Sequence, residues 1–143
     1  MINKLIRMVG LLTALIIASA CGNTKEASPF EETDGLEGVS IELSEEVYAR
    51  ENDTFRLTVS NESETEITYG IAFTVEKQEG DNWYIVEPEE EMAFILIAHV
   101  LSPKEASEET LNMDYYEPFD EGKYRVVRQI EGEPLTAEFR VEE

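Results

Sequence analysis

The stretch 54–86, TFRLTVSNESETEITYGIAFTVEKQEGDNWYIV, constrains the fold more than any other. Phe55, Leu57 and Val59 alternate with Arg56, Thr58 and Ser60, and Ile67, Tyr69, Ile71, Phe73 and Val75 alternate with polar or small residues. A strand sends successive side chains to opposite faces, so a period of two makes one apolar face and one wet face. Asn61-Glu62-Ser63-Glu64 and Glu79-Gly80-Asp81-Asn82 carry the residues that turns demand. The stretch therefore predicts a half-buried antiparallel sheet, with Phe73 and Tyr124 inward and Thr74 and Arg125 outward once the later strands are added.

The same period recurs along the chain. Strands are expected at 39–43, 54–60, 66–76, 83–87, 110–116, 123–130 and 136–141, with Gly122, Gly132 and Pro134 between the last of them. Residues 92–101, MAFILIAHVL, are apolar on both faces and read as buried extended structure, with a short helix, or for part of the run a turn or crossover between sheets, as the other possibilities. That makes about eight short strands separated by turn signals, the pattern of an all-β antiparallel sandwich of seven to eight strands.

The first twenty residues differ in kind. Lys4 and Arg7 precede an apolar run at 8–18, which is shorter than the roughly 20 residues that span a bilayer. Ala18-Ser19-Ala20 then leads into Cys21, the only cysteine of the chain. A lone cysteine forms no internal disulfide. Its place directly after small residues resembles the lipobox of bacterial lipoproteins, with Ala18 where Leu is usual. The resemblance implies cleavage between Ala20 and Cys21, a lipid on Cys21, and a cell-membrane location on the extracytoplasmic face. Ala18 and Ala20 also fit ordinary signal-peptidase cleavage, which would give a secreted soluble module. Residues 21–37 are polar and acidic and read as the lipidated cysteine plus a disordered tether, with a reach of roughly 20–25 Å. The domain proper is expected at 38–143.

Charge narrows the partners. The chain has 11 Lys and Arg against 32 Asp and Glu; without Lys4 and Arg7 the count is 9 against 32, a net of −23. Nucleic acid and anionic lipid both call for a basic surface, so neither is an electrostatic partner. An unidentified protein or envelope ligand remains.

Asp120-Glu121-Gly122-Lys123-Tyr124-Arg125-Val126 reads D-x-G-x-Y-x-V and resembles the tyrosine corner of immunoglobulin folds, which implies that Tyr124 bonds back to the preceding corner. Several stretches are similar to the bacterial immunoglobulin-like domain of small exported proteins and lipoproteins of Firmicutes. They are residues 61–86, the Gly122-Lys123-Tyr124-Arg125-Val126-Val127 strand, and Ala137-Glu138-Phe139. Residues 101–107, LSPKEAS, resemble a loop that often reads L-x-P-G-E-S, with Lys104 in place of the glycine. The resemblance implies a seven- or eight-stranded sandwich and no catalytic residues.

Chemistry is sparse. His99 is the only histidine, with no G-x-S-x-G and no second histidine for a zinc site. It is expected on a strand with a backbone partner. The carboxylates could in principle serve an envelope hydrolase, but with 32 of them proximity carries no specificity. Glu87-Pro88-Glu89-Glu90-Glu91 and Glu108-Glu109 lack the spacing of a calcium loop and read as solvated. No metal, cofactor or catalytic residue is expected. Tyr115, Tyr116, Pro118 and Phe119 are expected near Trp83 and Tyr84, as core and corner packing.

Overall fold

A computed structural model describes residues 25–51 and 55–142. Cys21 and Ala20, and with them the cleavage and lipidation expected there, lie outside the described residues. Two antiparallel sheets face each other. One holds β1 (Val39–Leu43), β2 (Arg56–Asn61) and β7 (Ala106–Thr110), in the order β1-β2-β7. The other runs β5-β4-β8-β3-β6, with β9 on the second side of β8. Its strands are β3 (Ile67–Tyr69), β4 (Thr74–Glu79), β5 (Asn82–Ile85), β6 (His99–Leu101), β8 (Gly122–Ile130) and β9 (Glu133–Val141).

The longest ladder joins β8 to β9, with Tyr124 opposite Phe139 and Val126 opposite Ala137. Two-residue turns close it and the β4–β5 hairpin. Each turn contains a glycine at positive φ, Gly132 at 77° and Gly80 at 61°, because the tight turns that match strand twist need backbone that side-chain-bearing residues resist. Between the sheets lie Leu57, Val59, Val75, Val126, Ile130 and Leu135, together with an aromatic cluster. Tyr48 meets Phe55 edge-on at 5.2 Å, Phe55 meets Phe139 at 5.4 Å, and Phe119 meets Tyr124 at 5.2 Å. Each such pair adds about 0.5–1.5 kcal/mol beyond burial.

Phe73 is buried and Thr74 exposed, as the alternation predicts. Four expectations change. The strand expected at 66–76 is two strands. It breaks at residues 70–73, so that Tyr69 faces Ile130 while Thr74 faces Val127. Four residues on one side of the break, 70–73, answer two on the other, Arg128 and Gln129, and Arg128 Nη2 donates to the freed carbonyl of Ile71 at 2.7 Å. The strand expected at 110–116 is displaced: β7 covers Ala106–Thr110, and the chain then turns through a 3-10 helix at Asp114–Tyr116. That turn swings Tyr116 inward and leaves Tyr115 exposed. Arg125 points to the outer face of its sheet but is buried there. Its Nε donates to Glu76 Oε1 at 2.7 Å, and its guanidinium lies 4.3 Å from the centre of the Trp83 ring. Trp83 therefore belongs to the outer face, away from the Tyr116–Phe119 cluster with which it was expected to pack.

The fourth change concerns the expected tether. Residues 25–37 cross the outer face of the larger sheet as a strap. Ser28 N–H donates to Trp83 O at 2.9 Å, and Ile85 N–H donates to Glu26 O at 2.8 Å, so the strap pairs with the free edge of β5. Lys25 meets Glu79 at 2.6 Å. At the far side the Asp34 carboxylate accepts from Thr136 N–H at 2.8 Å and from the Thr136 hydroxyl at 2.6 Å. The apolar content of this segment is too low to drive folding alone. Backbone pairing and side-chain capping hold it instead, with Leu36 packed on the core.

The Tyr124 hydroxyl donates to the Asp120 carbonyl at 2.6 Å, from the start of β8 back to the preceding corner. Burial is the main cause that raises the Tyr124 pKa from 10.0 to about 12. Burial also raises Tyr48, helped by its bond to Glu117, and Tyr116. The folded state thus keeps phenolic protons that the unfolded chain releases near pH 10. Stability is undiminished below pH 10 and falls as pH rises from 10 towards 12, with Tyr124 alone accounting for about 2–3 kcal/mol of the loss. Absorbance at 295 nm should show late-titrating tyrosines that ionise together with loss of circular dichroism. Six tyrosines titrating independently near pH 10 in a still-folded chain would contradict this.

Candidate functional site

Residues 92–101 were expected to be buried extended structure, and most of them are not. Only Leu101 reaches the core, while Met92 and Phe94 are half-buried. Phe94 packs edge-on against Phe73 at 5.6 Å and pins the segment to the domain. Beyond it the chain turns tightly, with Ile97 N–H donating to Ile95 O at 2.9 Å. Leu96 at the apex is 100% exposed, and Ile95, Ile97 and Val100 are 67%, 52% and 57% exposed. Isolated surface leucines are ordinary. Three large aliphatic residues on one loop, with a fourth on the strand it leads into, are not.

This loop forms one wall of a groove of about 490 Å³. The opposite wall is the end of β3 (Tyr69), the break that follows it (Ile71, Ala72), the end of β8 (Gln129) and the β8–β9 turn (Glu131). On the other side of Phe94 lies a hollow of about 390 Å³, where Phe30 of the strap meets Ala72, Phe73 and Val127. The acidic run Glu87–Glu91 leads into the loop, and its four carboxylates are exposed. Glu131 stands at the groove's other lip and accepts from Thr68 N–H at 2.6 Å. The groove is thus apolar within, with Glu131 at its lip, and the acidic run borders a neighbouring hollow beside Phe94.

His99 lies at the base of this loop, exposed on β6. Its ring stacks on Tyr69 with centroids 5.7 Å apart, rather than finding the backbone partner expected. Glu108 pairs with Arg56 at 2.8 Å, and Glu109 pairs with Arg128. Among the described residues, no three His, Cys, Asp or Glu are grouped to hold a metal, and no helix is long and apolar enough to cross a membrane.

Two joints between the sheets escaped the sequence reading. Asn61 is fully buried where β2 leaves one sheet for the other. Its Nδ2 donates to Thr65 O at 2.8 Å, Leu101 O at 3.1 Å and Ser102 O at 3.2 Å, while its Oδ1 accepts from Ser63 N–H at 3.1 Å. It ties the β2–β3 crossing to the β6–β7 crossing. Lys104, in the second crossing, takes φ 66°, the conformation for which the similar loops use glycine. Arg128 is the second joint: it occupies an inward position of β8 and pairs with Glu109 of the opposite sheet.

Two facing antiparallel sheets, chain crossings between them, and a tyrosine hydroxyl bonded to its own corner define an immunoglobulin-like β-sandwich. The chain belongs to the bacterial Ig-like domain family, whose model matches residues 35–140. No curated protein and no solved structure matches it. Domains of this family are structural or binding modules in general, and neither the fold nor its carboxylates present a catalytic constellation among the described residues.

Proposed function

We propose that this protein is a lipid-anchored lipoprotein of the cell envelope, of the kind Firmicutes export, and that it presents a non-catalytic Ig-like binding module on the extracytoplasmic face. The observation that carries the binding reading is the exposed aliphatic loop Ile95–Leu96–Ile97 with Val100, on a chain of 32 acidic residues. An acidic exterior favours solubility, and four exposed aliphatic side chains oppose it. A contact surface accounts for both. The anchor rests on the order of Lys4, Arg7, the apolar run 8–18 and the Ala20–Cys21 junction.

Stable anchoring takes two acyl chains, whereas one gives marginal binding. Cys21→Ala should therefore move the protein from the membrane fraction to the medium. Equal partitioning of variant and wild type would refute the anchor, and release of the wild type itself would favour a secreted module.

A further inference from the structure

The apolar loop continues into β6, the last strand of its sheet. Sheet edges invite pairing with other chains, and proteins usually block them. Here the strap covers β5, Asp34 caps one end of β9, and Glu46–Tyr48 bonds to Arg140 near its other end at 2.8 and 2.9 Å. The edges of the smaller sheet, β1 and β7, carry the exposed Glu42 and Glu108. β6 is different: its sequence is His99-Val100-Leu101, and Val100 is exposed on the flank.

From this contrast, and resting on the binding-module reading above, we infer that β6 and the 92–98 loop dock an extended apolar segment of another protein, one flanked by lysine or arginine. The segment adds as a strand beside β6, so main-chain hydrogen bonds supply affinity while alternate side chains enter the groove between Leu96 and Ile71. Charge selects the partner. Glu131 lines the groove, the exposed acidic run Glu87–Glu91 directly precedes the loop in sequence, and the chain carries 32 acidic against 11 basic residues, so basic flanks are attracted while a second copy of this chain, itself strongly acidic, is repelled. The same charge opposes an anionic lipid surface.

The test uses the chain carrying Cys21→Ser, so that lipid plays no part and the outcome is independent of anchoring. A fluorescein-labelled peptide, Lys-Lys-Val-Ile-Thr-Val-Ile-Lys-Lys, is titrated by anisotropy beside a counterpart with glutamate flanks. The lysine-flanked peptide should bind saturably, weaken as sodium chloride is raised, and slow amide exchange at His99–Leu101. The variant Leu96→Asp should weaken binding by about tenfold or more. Leu96 is fully exposed, so an unchanged melting curve will show that this variant still folds. The inference is overturned if no peptide binds, if both peptides bind alike, or if Leu96→Asp leaves binding intact. It is equally overturned if the loop instead drives self-association in sedimentation, or flotation with phosphatidylcholine vesicles.

Discussion

Asn61→Ala should lower unfolding free energy by about 3–5 kcal/mol. An average hydrogen bond contributes only about 1 kcal/mol net, but a buried group left without its partner costs about 1–3 kcal/mol. The Asn61 amide serves the carbonyls of Thr65, Leu101 and Ser102 and accepts from Ser63. Removing it strands the buried Leu101 carbonyl and breaks the part-buried bonds at Thr65, Ser102 and Ser63, where both chain crossings meet. Domains of this size have roughly 5–15 kcal/mol in total, so the variant should be near its folding limit at 37 °C. Asn61→Asp should fare nearly as badly, since a carboxylate cannot donate to three carbonyls. Urea melts decide the matter; a midpoint within error of wild type for either variant would mean the joint is dispensable.

The second large effect concerns Arg128 and Glu109, and it is asymmetric. Glu109→Ala should cost about 3–5 kcal/mol, because it leaves a guanidinium buried without its counter-charge. Arg128 is only 1% exposed. Arg128→Met should cost much less, about 1 kcal/mol, since a side chain of similar length fills the space and Glu109 can turn to water. The methionine cannot donate to Ile71 O, which accounts for the remaining loss. The double variant should then resemble Arg128→Met alone. Equal losses from the two single changes would show that the pair contributes by attraction, not by the penalty of a stranded charge.

The residues that were legible are those whose placement follows from a period of two. Phe55, Leu57, Val59, Val75, Tyr124 and Phe139 report burial directly, because alternation is how a one-sided strand is built. Arg128 sits at an inward position of the same β8 pattern as Tyr124 and Val126, but an arginine at that place reads as a break in the pattern. Only the partner across the sheets, 19 residues away in sequence, makes it an inward residue. The strap was missed for another reason: Ser28 and Glu26 bind through their backbones, on which side-chain pattern is silent. The 92–101 run departs from expectation because apolar composition predicts burial only where other parts of the fold supply a cover. Among the described residues no surface covers Leu96, and composition cannot reveal a missing cover. Thus the sandwich was readable, while the groove became visible only with the tertiary arrangement.

The strap also decides how an anchored domain would stand. A free tether of sixteen residues would let the sandwich swing and tumble. With residues 25–37 laid along the sheet, only Gly22, Asn23 and Thr24 separate Cys21 from Lys25, a span of at most about 14 Å. Lys25 is moored to Glu79 beside the β4–β5 turn, level with the Gly122 end of β8. The groove lies against Gln129 and Glu131 at the other end of that nine-residue strand, about 26 Å away. A lipid on Cys21 would therefore hold the hairpin tip down and the aliphatic loop up, like a peg with a fixed top. A ligand would have to approach from the side facing away from the bilayer.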